Sequence, residues 1–216
     1  MSIDKTYAVF GLGKYGVAVA KELVANGADV IAVDTKETIV NDLASEIPIC
    51  KCADVTDPEV IKQLGIANVD VVIIAMATHL ESSVMAIMHC KEIGVPNIIA
   101  KCGNETHRKI MKKVGATQVV LPESDSGIRL AKNLLSSGFI DVIELAKNVS
   151  MLELPVKPEW DGKSIIDLNL RKKFSVNIIA VCDGESVSIN IDPQMTLKTS
   201  MRLIVIANPD KLEKLR

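Results

Sequence analysis

One stretch constrains the fold of this chain more than any other: YAVFGLGKYGVAVAKELV, residues 7–24. A short apolar run meets Gly11, Gly13 and Gly16, and a helix-periodic run follows. In a strand–loop–helix corner of this kind each glycine has its own task. Gly11 permits the tight turn after the strand, Gly13 lets backbone approach phosphates, and Gly16 lets the helix pack closely on the sheet. The helix start then presents free N–H groups and a partial positive charge to an anion. Asp34 ends the next apolar run, DVIAVD, where an acidic residue can hydrogen-bond ribose hydroxyls. Its charge would repel a 2′-phosphate, which disfavours NADP. Lys14, inside the loop, opposes the helix macrodipole at a cost of about 0.3–1 kcal/mol. The outer phosphates of a ligand such as ATP would remove that cost.

The loop opens a longer alternation. Strand candidates YAVF, DVIAVD, IPICKC, VDVVIIAM, NIIAKC and QVVL are Val/Ile-rich and nearly continuous in apolar character, as parallel strands covered on both faces are. Five helical segments separate them, several ending in glycine. This predicts an α/β fold, a Rossmann-like doubly wound parallel sheet of order 3-2-1-4-5-6. With 48% hydrophobic but only 3% aromatic residues, its core must come from Ile, Val, Leu, Ala and Met. A further helix, ESDSGIRLAKNLLSSG, is expected to be capped by Ser124 or Asp125 and to leave the sheet. From Phe139 the pattern changes to FIDVIELA and VSMLELPVK strands, a short helix near Ser164–Leu168, a strand from about Ser175, a turn at Asp183-Gly184, a last strand MRLIVIA and a terminal helix PDKLEKLR. The expected domains are residues 1–123 (nucleotide-binding), 124–138 (crossover helix or linker) and 139–216 (a small α+β domain).

Other residues join the loop at the carboxyl ends of the strands, where the crevice of such a sheet opens. Asp54 either meets the adenine amino group or a ribose, or belongs with Asp57-Pro58 to a helix start. Ala75, Met76 and Ala77, with Thr78, should line the crevice after strand four. Leu12, Tyr15, Thr35, Lys36 and Val55 complete the expected lining. Of the three histidines, His79 alone falls near the crevice, while His89 and His107 are expected on helix surfaces. No Ser-His-Asp arrangement, nucleophile elbow or Walker lysine occurs, so the reading is a sensor rather than an enzyme. A net charge of −2 argues against a nucleic-acid partner, and the basic run Arg108, Lys109, Lys112, Lys113 reads as a solvated helix face. Five cysteines without a C-x-x-C predict reduced thiols in the cytosol. The longest apolar run, Val71 to Ala77, is too short to span a bilayer.

YAVFGLGKYG, VIAVD, CADVTDPEVIKQLGI, NIIAKCGNETHRKIMKKVGATQVVLPE and SIIDLNLRKKFSVNIIAV together resemble the regulatory subunits of bacterial Ktr potassium-uptake systems, also called TrkA-like proteins or RCK domains. The resemblance spans essentially the whole chain. It implies a cytosolic subunit, peripheral on the inner face of the cell membrane, that gates a potassium-translocating subunit of the KtrB/KtrD kind. It implies self-assembly as dimers in an octameric ring. ATP and ADP would compete for the N-terminal site, ATP favouring conduction, with NAD(H) a proposed ligand of relatives. Lys14 takes the place of the family's basic contact to the outer phosphate of ATP, without the bidentate fork of an arginine. Glu123 matches an acidic residue beside the nucleotide, where Mg2+ or another cation can assist, and Lys101 can reach the same site. In the C-terminal domain the resemblance implies inhibition by cyclic di-AMP at Ile165, Ile166, Asp167, Arg171, Asn177, Ile178 and Pro193. An NAD-dependent oxidoreductase using His79 and a stand-alone nucleotide or redox sensor are the rival readings.

Overall fold

A computed structural model describes residues 5–76, 79–135, 142–146 and 149–208. The chain divides into two compact units, Met1–Ser124 and Asp125–Arg216. The first runs β1 (Thr6–Phe10), α1 (Lys14–Ala25), β2 (Asp29–Asp34), α2 (Glu37–Leu43), β3 (Ile49–Cys52), α3 (Pro58–Gln63), β4 (Val71–Ile74), α4 (Leu80–Glu92), β5 (Asn97–Lys101), α5 (Glu105–Val114) and β6 (Gln118–Val120), and enters α6 (Pro122–Leu135). Its six strands are all parallel, in the order β3-β2-β1-β4-β5-β6 that the sequence predicts.

The period of two along each strand divides the apolar residues between the sheet's faces. Ala8, Phe10, Val72 and Ile74 join one core with Ile61, Ile87 and Met111 from α3, α4 and α5. Val9, Val71 and Ile73 join the other with Ala20 of α1 and Leu43 of α2. All four residues of β4 are buried, which explains its unbroken VVII. At the amino edge Thr6 clips β1 to the approach of β4: its amide and hydroxyl both donate to Asp70 Oδ2, at 2.8 and 3.0 Å. The first of these bonds, then the second, holds the Asp70 carboxyl below its ordinary value.

The glycine corner is set by sterics. Gly11 has φ +90°, and a Cβ there would stand 2.7 Å from Met76 Cγ. A Cβ on Gly16 would stand 1.9 Å from the Gly11 carbonyl oxygen, so α1 rides directly on the turn that precedes it.

Two expectations of the first unit are corrected. The sixth helix begins at Pro122, so Ser124 and Asp125 lie inside it rather than capping it. Proline suits the first helical position, where its missing N–H is not needed. His89 is not a surface residue. Its side chain is 11% exposed and Nε2 lies 3.1 Å from the Thr56 carbonyl, bracing α4 against the turn after β3.

The second unit contains β7 (Val142–Ala146), β8 (Val149–Pro155), α7 (Ile165–Leu168), α8 (Leu170–Phe174), β9 (Asn177–Asp183), β10 (Ser186–Ser188) and β11 (Met201–Ala207). The strands form an antiparallel sheet of order β10-β9-β11-β8-β7. Alternate residues of β8 and β11, Leu152, Leu154, Leu203 and Val205 among them, pack with Trp160, Leu168, Leu170, Val176 and Leu197. Gly184, at φ +59°, makes the expected turn between β9 and β10. The sequence pattern misses α8, and β9 begins at Asn177 rather than Ser175. Both ends of α8 are left-handed residues, Asn169 at φ 50° and Ser175 at φ 56°, which no apolar periodicity signals. The predicted terminal helix PDKLEKLR lies outside the described residues.

Replacing Gly16 with alanine is expected to lower stability by about 1–3 kcal/mol, because the obstacle is backbone and cannot rotate away. Urea denaturation of the variant checks this against Gly27→Ala, whose Cβ meets no atom and whose cost comes from φ +79° alone.

Candidate nucleotide-binding site

A cleft of about 250 Å³ opens at the carboxyl ends of the first unit's strands. Gly11 and Gly13 come from the loop after β1, Val33 and Asp34 from the end of β2, Thr35 and Lys36 from the turn after it, Ile39 from the first turn of α2, Ala53 and Val55 from the loop after β3, and Ala75, Met76 and His79 from the segment after β4. This is the crevice where a doubly wound sheet binds ligands.

Asp34 organises it. Its Oδ2 accepts from the Leu12 amide at 2.7 Å and its Oδ1 from the Lys36 amide at 2.9 Å. The carboxylate ties two loops together and keeps lone pairs for ribose hydroxyls. Gly13 stands before α1 with no side-chain cap on the helix, and no acidic residue occupies the first turn. The N-terminal end of α1 therefore keeps its capacity for an external anion. Gly13 needs to be glycine neither for its backbone, at φ −71°, nor for the chain's own packing, since a Cβ there meets nothing within 4 Å. A phosphate group resting on the loop would fill that space, so the residues present fit a nucleotide.

The remaining expected residues divide. Thr35, Lys36, Val55, Ala75 and Met76 line the cleft. Leu12 is buried and serves by its amide. Gly16 acts through packing, and Lys14 is exposed as the first residue of α1. Asp54 turns into its own loop, its Oδ1 accepting from the Thr56 amide at 2.9 Å and hydroxyl at 2.7 Å, which holds its carboxyl below the ordinary value. Its neighbours Ala53 and Val55 face the cleft in its place. Ala77 and Thr78 lie outside the described residues. Sequence reasoning missed Val33, Ile39 and Ala53 as lining. The first turn of α2 and the residue just past β3 were the available signals.

Tyr15, Lys101 and Glu123 form a separate cluster. Lys101 Nζ donates to Glu123 Oε1 at 2.6 Å and lies 5.5 Å from the Tyr15 ring centroid. The Lys101 bond is the main reason the Glu123 carboxyl is held below its ordinary value. Glu123 is thus partnered by a cation of its own chain. Among the described residues no three His, Cys, Asp or Glu side chains gather as a group that could hold a metal ion by themselves.

The second unit carries a cavity of about 470 Å³. Ile165, Ile166, Arg171, Asn177, Ile178 and Pro193 all line it, joined by Asn169, Leu170, Val176 and Ile191, which the sequence did not single out. Asp167 is not among them. Its Oδ2 accepts from Ser164 Oγ at 2.5 Å and its amide donates to the same Oγ, so it belongs to the start of α7.

Fold and cleft define a Rossmann-like α/β module with an open crevice at the strand ends, followed by a small antiparallel module. The TrkA-N domain matches residues 7–122 and the TrkA-C domain residues 149–216. The chain is 35% identical to Ktr system potassium uptake protein C of Bacillus subtilis (strain 168) over 188 residues, 87% of this chain and 85% of that protein. It is 32% identical to Ktr system potassium uptake protein A of the same organism over 211 residues, 98% of this chain and 95% of the relative. The chain belongs to this family, the TrkA-like regulatory (RCK) subunits of Ktr potassium-uptake systems. Among solved structures a GsuK channel shares the fold, with TM-score 0.70 and 19% identity over all of this chain, which spans 40% of the channel's own chain. No helix among the described residues is long and apolar enough to cross a membrane.

Gly13→Ala is expected to lower stability without ligand by about 0.5–1 kcal/mol, because alanine caps a helix less well than glycine, and to weaken nucleotide binding by more than that loss accounts for. Paired thermal melts and calorimetric titrations check both halves.

Proposed function

We propose that this chain is a nucleotide-sensing regulatory subunit that gates a membrane potassium-translocating partner of the KtrB/KtrD kind. The observation that carries the reading is Gly13: a glycine that neither backbone nor packing requires, before an uncapped helix start and beside the Asp34 carboxylate. The base and ribose belong in the cleft between Ile39, Ala53 and Val55, with Asp34 on the ribose hydroxyls. The phosphates belong on the loop amides. ATP differs from ADP here by one phosphate, and Lys14, exposed at the first position of α1, is the cation that meets the added charge.

The site senses rather than reacts. A ligand moves a gate only by its difference in affinity for two arrangements of the assembly. Passing from mostly closed to mostly open takes roughly 5.5 kcal/mol, a modest share per nucleotide in an octameric ring of dimers. The subunit works at the cytosolic face of the membrane, held there by its partner. The cavity of the second unit takes cyclic di-AMP as the inhibitory ligand: Ile165, Ile166 and Ile178 pack on a base, Arg171 meets a phosphate, and Asn177 hydrogen-bonds.

Lys14→Ala should weaken ATP more than ADP in calorimetry; equal losses would remove Lys14 from the discriminating role. Arg171→Ala should weaken cyclic di-AMP about tenfold or more and leave ADP binding unchanged, because the two sites lie in different units. An NAD-dependent oxidoreductase would instead turn over nicotinamide and lose that turnover with His79→Ala.

A further inference from the structure

We propose that His79 is a titrating contact to the ligand's phosphates, so that nucleotide binding by this chain tightens as the pH falls. The inference rests on the nucleotide reading above and adds a second input, proton activity, to the same site.

His79 lines the cleft, whereas His89 is bound to the Thr56 carbonyl and His107 lies within α5. It is the N-cap residue of α4. Its backbone is fixed there from both sides. The His79 amide donates to the Met76 carbonyl at 3.1 Å, and the His79 carbonyl accepts from the Ser83 amide at 3.0 Å. Ser83 is fully buried, and its hydroxyl donates to the same Met76 carbonyl at 2.9 Å. Met76 in turn stands against the glycine corner, where a Cβ on Gly11 would meet its Cγ at 2.7 Å. This chain of contacts ties His79 to the side of the cleft that holds the phosphate loop. The side chain itself is exposed and makes no cap hydrogen bond to α4.

The elements that meet here bring other charges. Lys14 starts α1, Glu37 lies in the first turn of α2 and Glu81 in the first turn of α4. Asp54 is turned onto Thr56, and Asp57 accepts from the Glu59 amide at the start of α3. Among the described residues only Asp34 and Lys36 line the cleft as charged groups beside His79. One is an anion and the other a cation, so their charges cancel. The protonation of His79 therefore sets the net charge of the lining, neutral when the imidazole is neutral and positive when it is protonated. An imidazole changes charge between about pH 5 and 8. A phosphate anion in the cleft favours the protonated form, and by linkage the protonated form binds the anion more tightly. Binding thus takes up a proton from solvent. The cleft is open to water and salt, so the gain is a small multiple rather than orders of magnitude.

Calorimetric dissociation constants for ADP at about pH 6 and about pH 8, on either side of the imidazole range, test this on the full chain, His79→Gln and His79→Lys. The ratio of the two constants is compared between proteins. The titration of ADP's own terminal phosphate, common to all of them, then drops out. The full chain is expected to gain at least about fivefold more affinity on acidification than His79→Gln. His79→Lys, a permanent cation, should show the same ratio as His79→Gln and bind ADP about threefold or more tighter than it at the higher pH. A full-chain ratio equal to that of His79→Gln, or His79→Lys binding no tighter than His79→Gln, overturns the role of His79 while leaving the nucleotide site standing. Absence of ADP binding at both pH values overturns this inference, and absence of ATP and NADH binding as well overturns the nucleotide reading beneath it. Thermal melts without ligand verify folding. Should one variant fail to fold, the comparison of the full chain with the other carries the test.

Discussion

The approach of α1 to the turn that ends β1 governs the functional end of the first unit. Only hydrogen separates the Gly16 α-carbon from the Gly11 carbonyl, and that proximity seats the helix axis over the carboxyl edge of the sheet. Once the helix is there, its uncapped first turn begins at Gly13, which lines the cleft. Asp34 then locks the arrangement from β2, because the Leu12 amide it accepts belongs to the same turn. Packing, backbone conformation and electrostatics thus converge on one corner. A Cβ at Gly16 would meet the Gly11 carbonyl, whereas one at Gly13 would stand in open space at the mouth of the cleft.

The carboxyl ends of the strands carry different side chains on the two sides of the sheet. On the β1–β3 side small and apolar residues leave room, and a carboxylate faces the space. On the β5–β6 side a lysine, a glutamate and a tyrosine use one another as partners.

The second unit builds its cavity by a different device. Two short helices, α7 and α8, meet at left-handed Asn169, so that Ile165 and Ile166 from one and Leu170 and Arg171 from the other face the same space. Asparagine tolerates this conformation better than most residues. The cost of the joint is met by burial of Leu168, Leu170 and Val176 beneath it.

The sequence by itself determined the strand order, the glycine corner and Asp34, because strand period, glycine sterics and a charge at a strand end are local properties of consecutive residues. It also carried the membership of Ile165, Ile166, Arg171, Asn177, Ile178 and Pro193 in one region through family resemblance. Only the tertiary structure decided which way side chains turn. Asp54 bends back onto Thr56, Asp167 onto Ser164, and His89 onto the Thr56 carbonyl, and Lys101 meets Glu123 across two strands. A polar side chain chooses between a ligand and a neighbour according to which partner the fold brings within about 3 Å, and that distance is set by residues far apart in the chain.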